Sequence, residues 1–121
     1  MFSMKKTIST EKLQSLRKGT EGFLLIDVLA KAAFEHDHIP GARNVPLDTE
    51  GFAKAVAEKN AGSKTRRVVL YCAGTDCDAS AKAAKLLVAD GFTNVVLYEG
   101  GLAAWNESKR ARLARADKTP S

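Results

Sequence analysis

Both thiols of the chain, Cys72 and Cys77, fall in one stretch, VVLYCAGTDCDASAKAAKLL from Val68 to Leu87, with Asp76 and Asp78 beside them. A cysteine that ends an apolar, strand-like run just ahead of a helix-like one is placed for nucleophilic or redox chemistry. The thiolate is the reactive species, and backbone N–H groups at the start of a helix favour it over the neutral thiol. An ordinary thiol with a pKa of about 8.5 is only roughly 3% ionised at pH 7. A helix-end contribution of about 1 to 2 kcal/mol lowers that pKa by about a unit and multiplies the reactive fraction several-fold, so Cys72 can act without a histidine partner. Asp76 and Asp78 push the other way. Whether they cap the helix or face the sulfur, their charge competes for the same positive end. On these residues alone, a small buried cysteine finishing a strand is as good a reading as a catalytic one. A Cys72 sealed from solvent without converging amides rules the catalytic reading out.

Two cysteines are too few for a disulfide scaffold, and in a reducing compartment such a pair is more often catalytic, redox-active or metal-binding, with both thiols reduced at rest. At 121 residues, 45% hydrophobic and 27% charged, the chain suits one soluble domain, here taken as 1–121 with a core over about 8–108 and a basic tail over about 109–121. No run approaches the roughly 18 apolar residues needed to cross a bilayer, and Met1 to Lys6 lacks the apolar middle of a secretory signal. A cytoplasmic protein without membrane contact is expected. The net charge of +5 sits mostly in the tails, at Lys5, Lys6, Lys12, Arg17 and Lys18 and again at Lys109, Arg110, Arg112, Arg115 and Lys118. Solvated tail charge without interleaved aromatics predicts no specific nucleic-acid binding. His36 and His38 lack the paired spacing of a zinc site, so no metal is expected. His38 reads as a donor in a structural turn and His36 as exposed.

The elements that must position Cys72 follow from pattern and punctuation. Ser9 or Thr10 caps a helix over Glu11 to Lys18, which Gly19 and Gly22 end. Leu24 to Val28 is an apolar run with a single acid, as for a strand covered on both faces. A short helix near Lys31 to Glu35, a turn at Ile39 to Ala42 and an extended piece at Asn44 to Pro46 come next. Gly51 to Lys59 reads as a helix and Arg67 to Tyr71 as the strand that leads to Cys72. The helix Ser80 to Asp90 ends at Gly91, Asn94 to Tyr98 is a strand, and Gly100-Gly101 open a last helix through Trp105. The final dozen residues, RARLARADKTPS, are expected to fray. Alternating strands and helices imply an α/β layer fold with a mainly parallel sheet, in which ligands collect beyond the carboxyl ends of the strands. Cys72 lies at such an end. Asp27, at another, is a possible supporting residue, with anchorage of a neighbouring turn as its plainer role.

The ordered set Leu25-Ile26-Asp27-Val28, His38-Ile39-Pro40-Gly41-Ala42, Val68-Val69-Leu70-Tyr71-Cys72, Gly91-Phe92 with Asn94-Val95, and Glu99-Gly100-Gly101 with Trp105 resembles the rhodanese (sulfurtransferase) family over about residues 8–108. The resemblance implies a three-layer fold with a five-stranded parallel sheet flanked by helices. It also implies that Cys72 takes a sulfane sulfur from a small donor or a protein persulfide and passes it to a thiol acceptor, with no metal or organic cofactor. A persulfide needs N–H donors for its charge, and the amides of Ala73, Gly74, Thr75, Asp76 and Cys77 are the candidates, Gly74 supplying a backbone angle other residues resist.

Three departures from the family pattern bear on the donor. Leu29 stands where the family usually has arginine, Asp76, Cys77 and Asp78 occupy a loop that usually holds a basic residue, and the spacing from Cys72 to Ser80 is longer by two. Doubly negative thiosulfate should therefore react weakly, and a neutral or protein-borne donor is favoured. A phosphatase of this fold would need arginine six places after the cysteine, where Asp78 stands. Cys77 is a possible resolving thiol for a persulfide or sulfenate on Cys72, or else a loop hydrophobe in the space of the missing basic residue. Its distance along an extended chain is about 17 Å, so the pair bonds only if the loop curls to bring the Cα atoms within roughly 7 Å. A noncatalytic module for protein binding and a Cys72/Cys77 dithiol redox protein remain as alternatives.

Overall fold

A computed structural model describes residues 6–20 and 22–117. Its elements run α1 (Thr10–Lys18), β1 (Leu24–Asp27), α2 (Lys31–His36), β2 (Arg43–Asn44), α3 (Phe52–Lys59), β3 (Val68–Tyr71), α4 (Ala79–Ala89), β4 (Val95–Leu97) and α5 (Gly101–Asp117). The strands form one sheet in the order β2-β1-β3-β4, all parallel. β3 is central, and its residues Val68 to Tyr71 are fully buried. This is the α/β architecture that the alternation predicts. Among the described residues there are four strands rather than the five expected. At the outer edge of β4 the described residues form a bridge between Thr7 and Leu97, closed by hydrogen bonds from Ile8 N–H to Leu97 O at 2.9 Å and from Leu97 N–H to Lys6 O at 2.8 Å.

Side chains alternate across a strand, and the two faces of the sheet carry separate cores. Leu24, Ile26, Leu70 and Cys72 pack with Phe52 and Val56 of α3 and Ala83 and Leu87 of α4. Leu25, Val69 and Tyr71 pack on the opposite face with Leu13 of α1 and Trp105 of α5. Cys72 thus faces the helix that follows it.

Local chemistry explains most element ends. Ser9 accepts from Lys12 N–H at 3.0 Å and caps α1, and Gly19 closes it. Gly41, at φ 88°, makes the turn in which Ala42 N–H donates to Ile39 O. The expectation that the last dozen residues fray is corrected: α5 continues to Asp117. The segment RARLARAD contains no glycine or proline, and alanine, arginine and leucine are good helix formers. Residues 118–121 lie outside the described residues. No described helix is long and apolar enough to cross a membrane.

Candidate active site

Cys72 follows the last residue of β3 and is held from the far side by the start of α5. Leu102 N–H donates to Cys72 O at 3.0 Å and Ala103 N–H to Ala73 O at 2.9 Å. Such close approach needs a glycine, and that glycine is Gly101. At φ 61° it sits in the left-handed region, and a Cβ there would lie 2.4 Å from Cys72 O and 2.9 Å from Gly74 N. Gly74, expected to supply the unusual backbone angle, is not among the residues with positive φ. A Cβ on it would rest 3.4 Å from the Ala103 methyl, which is tight but not prohibitive. The special conformation belongs to the clamp, not to the loop itself.

The loop curls as a disulfide requires. Cys72 and Cys77 are joined, with Cα atoms 6.4 Å apart, so the expectation of two resting thiols is corrected. Cys77 N–H donates to Gly74 O at 3.1 Å, a turn that folds Cys77 back over Cys72. Cys72 is 2% exposed, whereas Cys77 is half-buried. The Ser80 hydroxyl oxygen, itself buried, lies 3.7 Å from Cys72 Sγ, and the Cys77 carbonyl lies 3.4 Å from the same sulfur. In the sequence Ser80 marks the first residue of a helix and the end of the lengthened loop, with no role at the sulfur. Its i, i+8 relation to Cys72 has no local signature.

The five proposed cradle amides divide. That of Cys77 is committed to Gly74 O, while those of Ala73, Gly74, Thr75 and Asp76 have no acceptor among the described residues. Cys72 in this closed form is sealed, and the contacts of its sulfur among the described residues are with Cys77 and Ser80; the four amides that follow it have no protein acceptor, but none is bonded to the sulfur in this form. The aspartates do less than expected. Asp78 occupies the N-cap position of α4 without a capping bond, and its carboxylate, 78% exposed, pairs instead with Lys82 at 3.5 Å. An exposed, partly neutralised carboxylate is well screened and weakens a neighbouring thiolate little. Asp76 is exposed. Beside Cys77 opens a cleft of about 180 Å³ lined by Thr75, Cys77, Asp78, Ser80, Ala81, Leu97 and Glu99.

Asp27 serves the neighbouring strand end. It is completely buried, and Oδ1 accepts from Leu29 N–H at 2.8 Å, which is the anchoring role expected of it. Oδ2 makes no hydrogen bond. Burial pushes its carboxyl above the ordinary carboxylate value, opposed by the Leu29 amide and then by Tyr71 and His38. Tyr71, paired with it in register, is pushed up by its own burial, and its hydroxyl accepts from Ile39 N–H at 3.0 Å. His38 Nδ1 meets Phe34 O at 2.8 Å, the structural turn contact expected, and His36 is exposed.

Known proteins are similar to this chain in sequence or in fold. Over 100 residues the chain is 36% identical to the thiosulfate sulfurtransferase GlpE of Pseudomonas syringae, an alignment that covers 83% of this chain and 86% of that one. It is 33% identical over 107 residues to the protein YqhL of Bacillus subtilis, covering 88% and 77% respectively. The solution structure of a rhodanese-like domain from Anabaena superposes with a TM-score of 0.72 at 29% identity, over 87% of this chain and 76% of that one. The model of the rhodanese-like domain matches residues 9–108, so most of the sequence, the disulfide loop included, lies within it and the chain belongs to the rhodanese-like family.

Proposed function

We propose that the chain is a sulfurtransferase in which Cys72 accepts a sulfane sulfur, holds it as a persulfide and yields it to a thiol acceptor. The observation that carries this reading is the setting of Cys72: the carboxyl end of the central strand, a serine hydroxyl 3.7 Å from the sulfur, and four following amides without acceptors. In the reduced protein the Cys72 thiolate attacks the outer sulfur of the donor. The donor's leaving group departs with the electron pair of the broken S–S bond, and the persulfide keeps one negative charge. The amides of Ala73, Gly74, Thr75 and Asp76 and the Ser80 hydroxyl are the donors available to that charge. The name of the Pseudomonas relative supports sulfur transfer as the reaction class.

Thiosulfate itself is a poor donor in this reading. The cleft beside the loop is lined by Asp78 and Glu99 and by no lysine or arginine, which disfavours a dianion. A neutral or protein-borne sulfane sulfur fits better. Cys77 then acts second: its thiolate attacks the Cys72 sulfur of the persulfide, hydrosulfide leaves, and the internal disulfide forms. The same disulfide favours one other reading, a dithiol redox protein that carries no sulfur at all.

Intact-mass and peptide measurements on the reduced protein, mixed with a neutral sulfane donor, separate the possibilities. Gain of one sulfur atom on Cys72, lost in Cys72→Ser, is the expected result. Loss of two protons alone points to the dithiol couple, and no change points to a noncatalytic binding module. An adduct that survives on Cys77 in the Cys72→Ser protein reverses the two roles.

A further inference from the structure

The two basic ends of the sequence meet in the fold. α1 and α5 pack side by side, and Gln14 donates to the Ser108 hydroxyl at 3.5 Å. Trp105, the chain's one tryptophan, has the Arg17 guanidinium of α1 at 5.1 Å from its ring centroid and that of Arg112 of α5 at 5.9 Å. Lys109 follows Trp105 by four positions and Arg112 by seven, so the three share one face of α5. Lys18 continues from Arg17 in the last turn of α1. These four cations are all exposed, and among the described residues none is in an ion pair. Acids are sparse here. Glu11 lies in the first turn of α1, about 9 Å along the axis from Arg17. Glu107 stands two residues from Trp105, a spacing that turns it to the far side of α5. Asp37, which accepts from Asn106 at 2.9 Å, offsets at most one of the four charges. Charge that reads in the sequence as two separate tails is one patch in the fold. α5 also continues past residue 108, where the family match ends, and residues 109–114 are all exposed, with Leu113 at 57%.

We infer that the α1–α5 face docks an acidic segment of the protein whose thiol accepts sulfur from Cys72, an inference that rests on the sulfurtransferase reading. Clustered, unpaired cations complement carboxylates and steer their approach. The face suits a peptide better than a nucleic acid. Leu113 offers an apolar contact to a side chain, while Trp105, the aromatic at the centre of the patch, is 7% exposed and presents no ring for bases to stack on. Its position suits delivery as well. The first turn of α5 holds the Cys72 carbonyl through Leu102 N–H, and Arg112 lies about 15 Å further along the same helix. A partner anchored there keeps its thiol at high effective concentration near the persulfide. The acceptor thiolate attacks the outer sulfur, the S–S bond of the Cys72 persulfide breaks, and Cys72 leaves as thiolate with the bonding pair. The acceptor becomes the persulfide, and no net oxidation occurs.

The probe is a peptide of one cysteine, a Gly/Ser linker of about 12 residues with an r.m.s. span of roughly 19 Å, and six glutamates; its comparator carries six serines instead. The reduced full chain turns over with a neutral sulfane donor at low salt. Sulfur gained by each peptide above the protein-free rate is alkylated and measured by mass spectrometry at equal thiolate concentration. The acidic peptide should gain sulfur about 5- to 20-fold faster, and its titration should change Trp105 emission saturably and reversibly with salt. Lys109→Gln/Arg112→Gln, which keeps good helix formers at two exposed positions, should lose both effects, and Lys109→Arg/Arg112→Lys should keep them. A rate ratio within twofold of one, a silent Trp105, or a glutamine variant that retains both effects overturns the inference. So does a single-stranded RNA that displaces the acidic peptide at a tenfold lower charge concentration. Sulfur loading on Cys72 is scored separately, without peptide. Its failure removes the sulfurtransferase reading and the acceptor role with it, whereas loading with a flat rate ratio and a silent Trp105 removes the docking face alone.

Discussion

Two helices begin beside Cys72, and they are used in opposite ways. At the start of α5 the amides are already spent on protein: Gly101 N–H donates to Tyr98 O, Leu102 N–H to Cys72 O and Ala103 N–H to Ala73 O. At the start of α4 the first helical bond is from Lys82 N–H to Asp78 O, so the amides of Ala79, Ser80 and Ala81 have no acceptor among the described residues, and Asp78 does not cap them. Both ends carry the same partial positive charge. One fixes the backbone of the cysteine, and the other, in the proposed reading, is available to negative charge that arrives during sulfur transfer. A strand-end sulfur can therefore be held rigidly without being neutralised by the groups that hold it.

The comparison breaks most sharply at Gly101. Gly101→Ala places a methyl on the Cys72 carbonyl in a left-handed conformation, and a loss of about 3 kcal/mol in calorimetric stability is expected, with sulfur uptake falling as well. A loss below about 1 kcal/mol would mean that α5 does not clamp the loop. Next is Ser80→Ala on the α4 side. Removal of one hydrogen bond to a charged sulfur, worth about 1.5 kcal/mol, should slow alkylation of reduced Cys72 at neutral pH roughly tenfold, and Ser80→Thr should restore most of the rate.

Asp27→Asn probes the strand end next door, where a buried carboxyl is raised by desolvation. The folded protein keeps a proton that the unfolded chain has already lost, so wild-type stability should fall as pH rises from about 4 through the folded-state value and then level. The asparagine variant lacks that decline, and its stability relative to wild type should increase with pH in thermal melts. The smallest effect is expected at Asp78→Asn, where an exposed i, i+4 pair with Lys82 is worth under about 0.5 kcal/mol and vanishes in salt.

Much of this arrangement is legible from local pattern. The cap at Ser9, the glycine stops, the buried run of β1 and the order of strands and helices all follow from residues within a few positions of each other, and apart from the C-terminal end of α5 the boundaries agree to within about two residues. What escapes depends on distant parts of the chain meeting. The positive φ needed near Cys72 falls on Gly101 rather than Gly74 because the constraint is the approach of α5, nearly thirty residues away. Ser80 reaches the sulfur only after α4 docks on the sheet. Reducing conditions bear on redox poise and not on loop curvature, and it is the curvature, with Cα atoms 6.4 Å apart, that makes the Cys72–Cys77 bond geometrically accessible. α5 runs past Trp105 because the helix propensity of RARLARAD prevails over the repulsion of its charges.

The bridge at Thr7 has a practical consequence. It occupies part of the outer rim of β4, where Leu97 would otherwise present an open N–H and C=O to a neighbouring molecule. A chain trimmed to residues 9–108 would keep the cysteine loop but bare that rim, inviting sideways pairing between molecules and loss of soluble protein on storage. In the full chain Lys6 and Ile8 already occupy those two groups of Leu97.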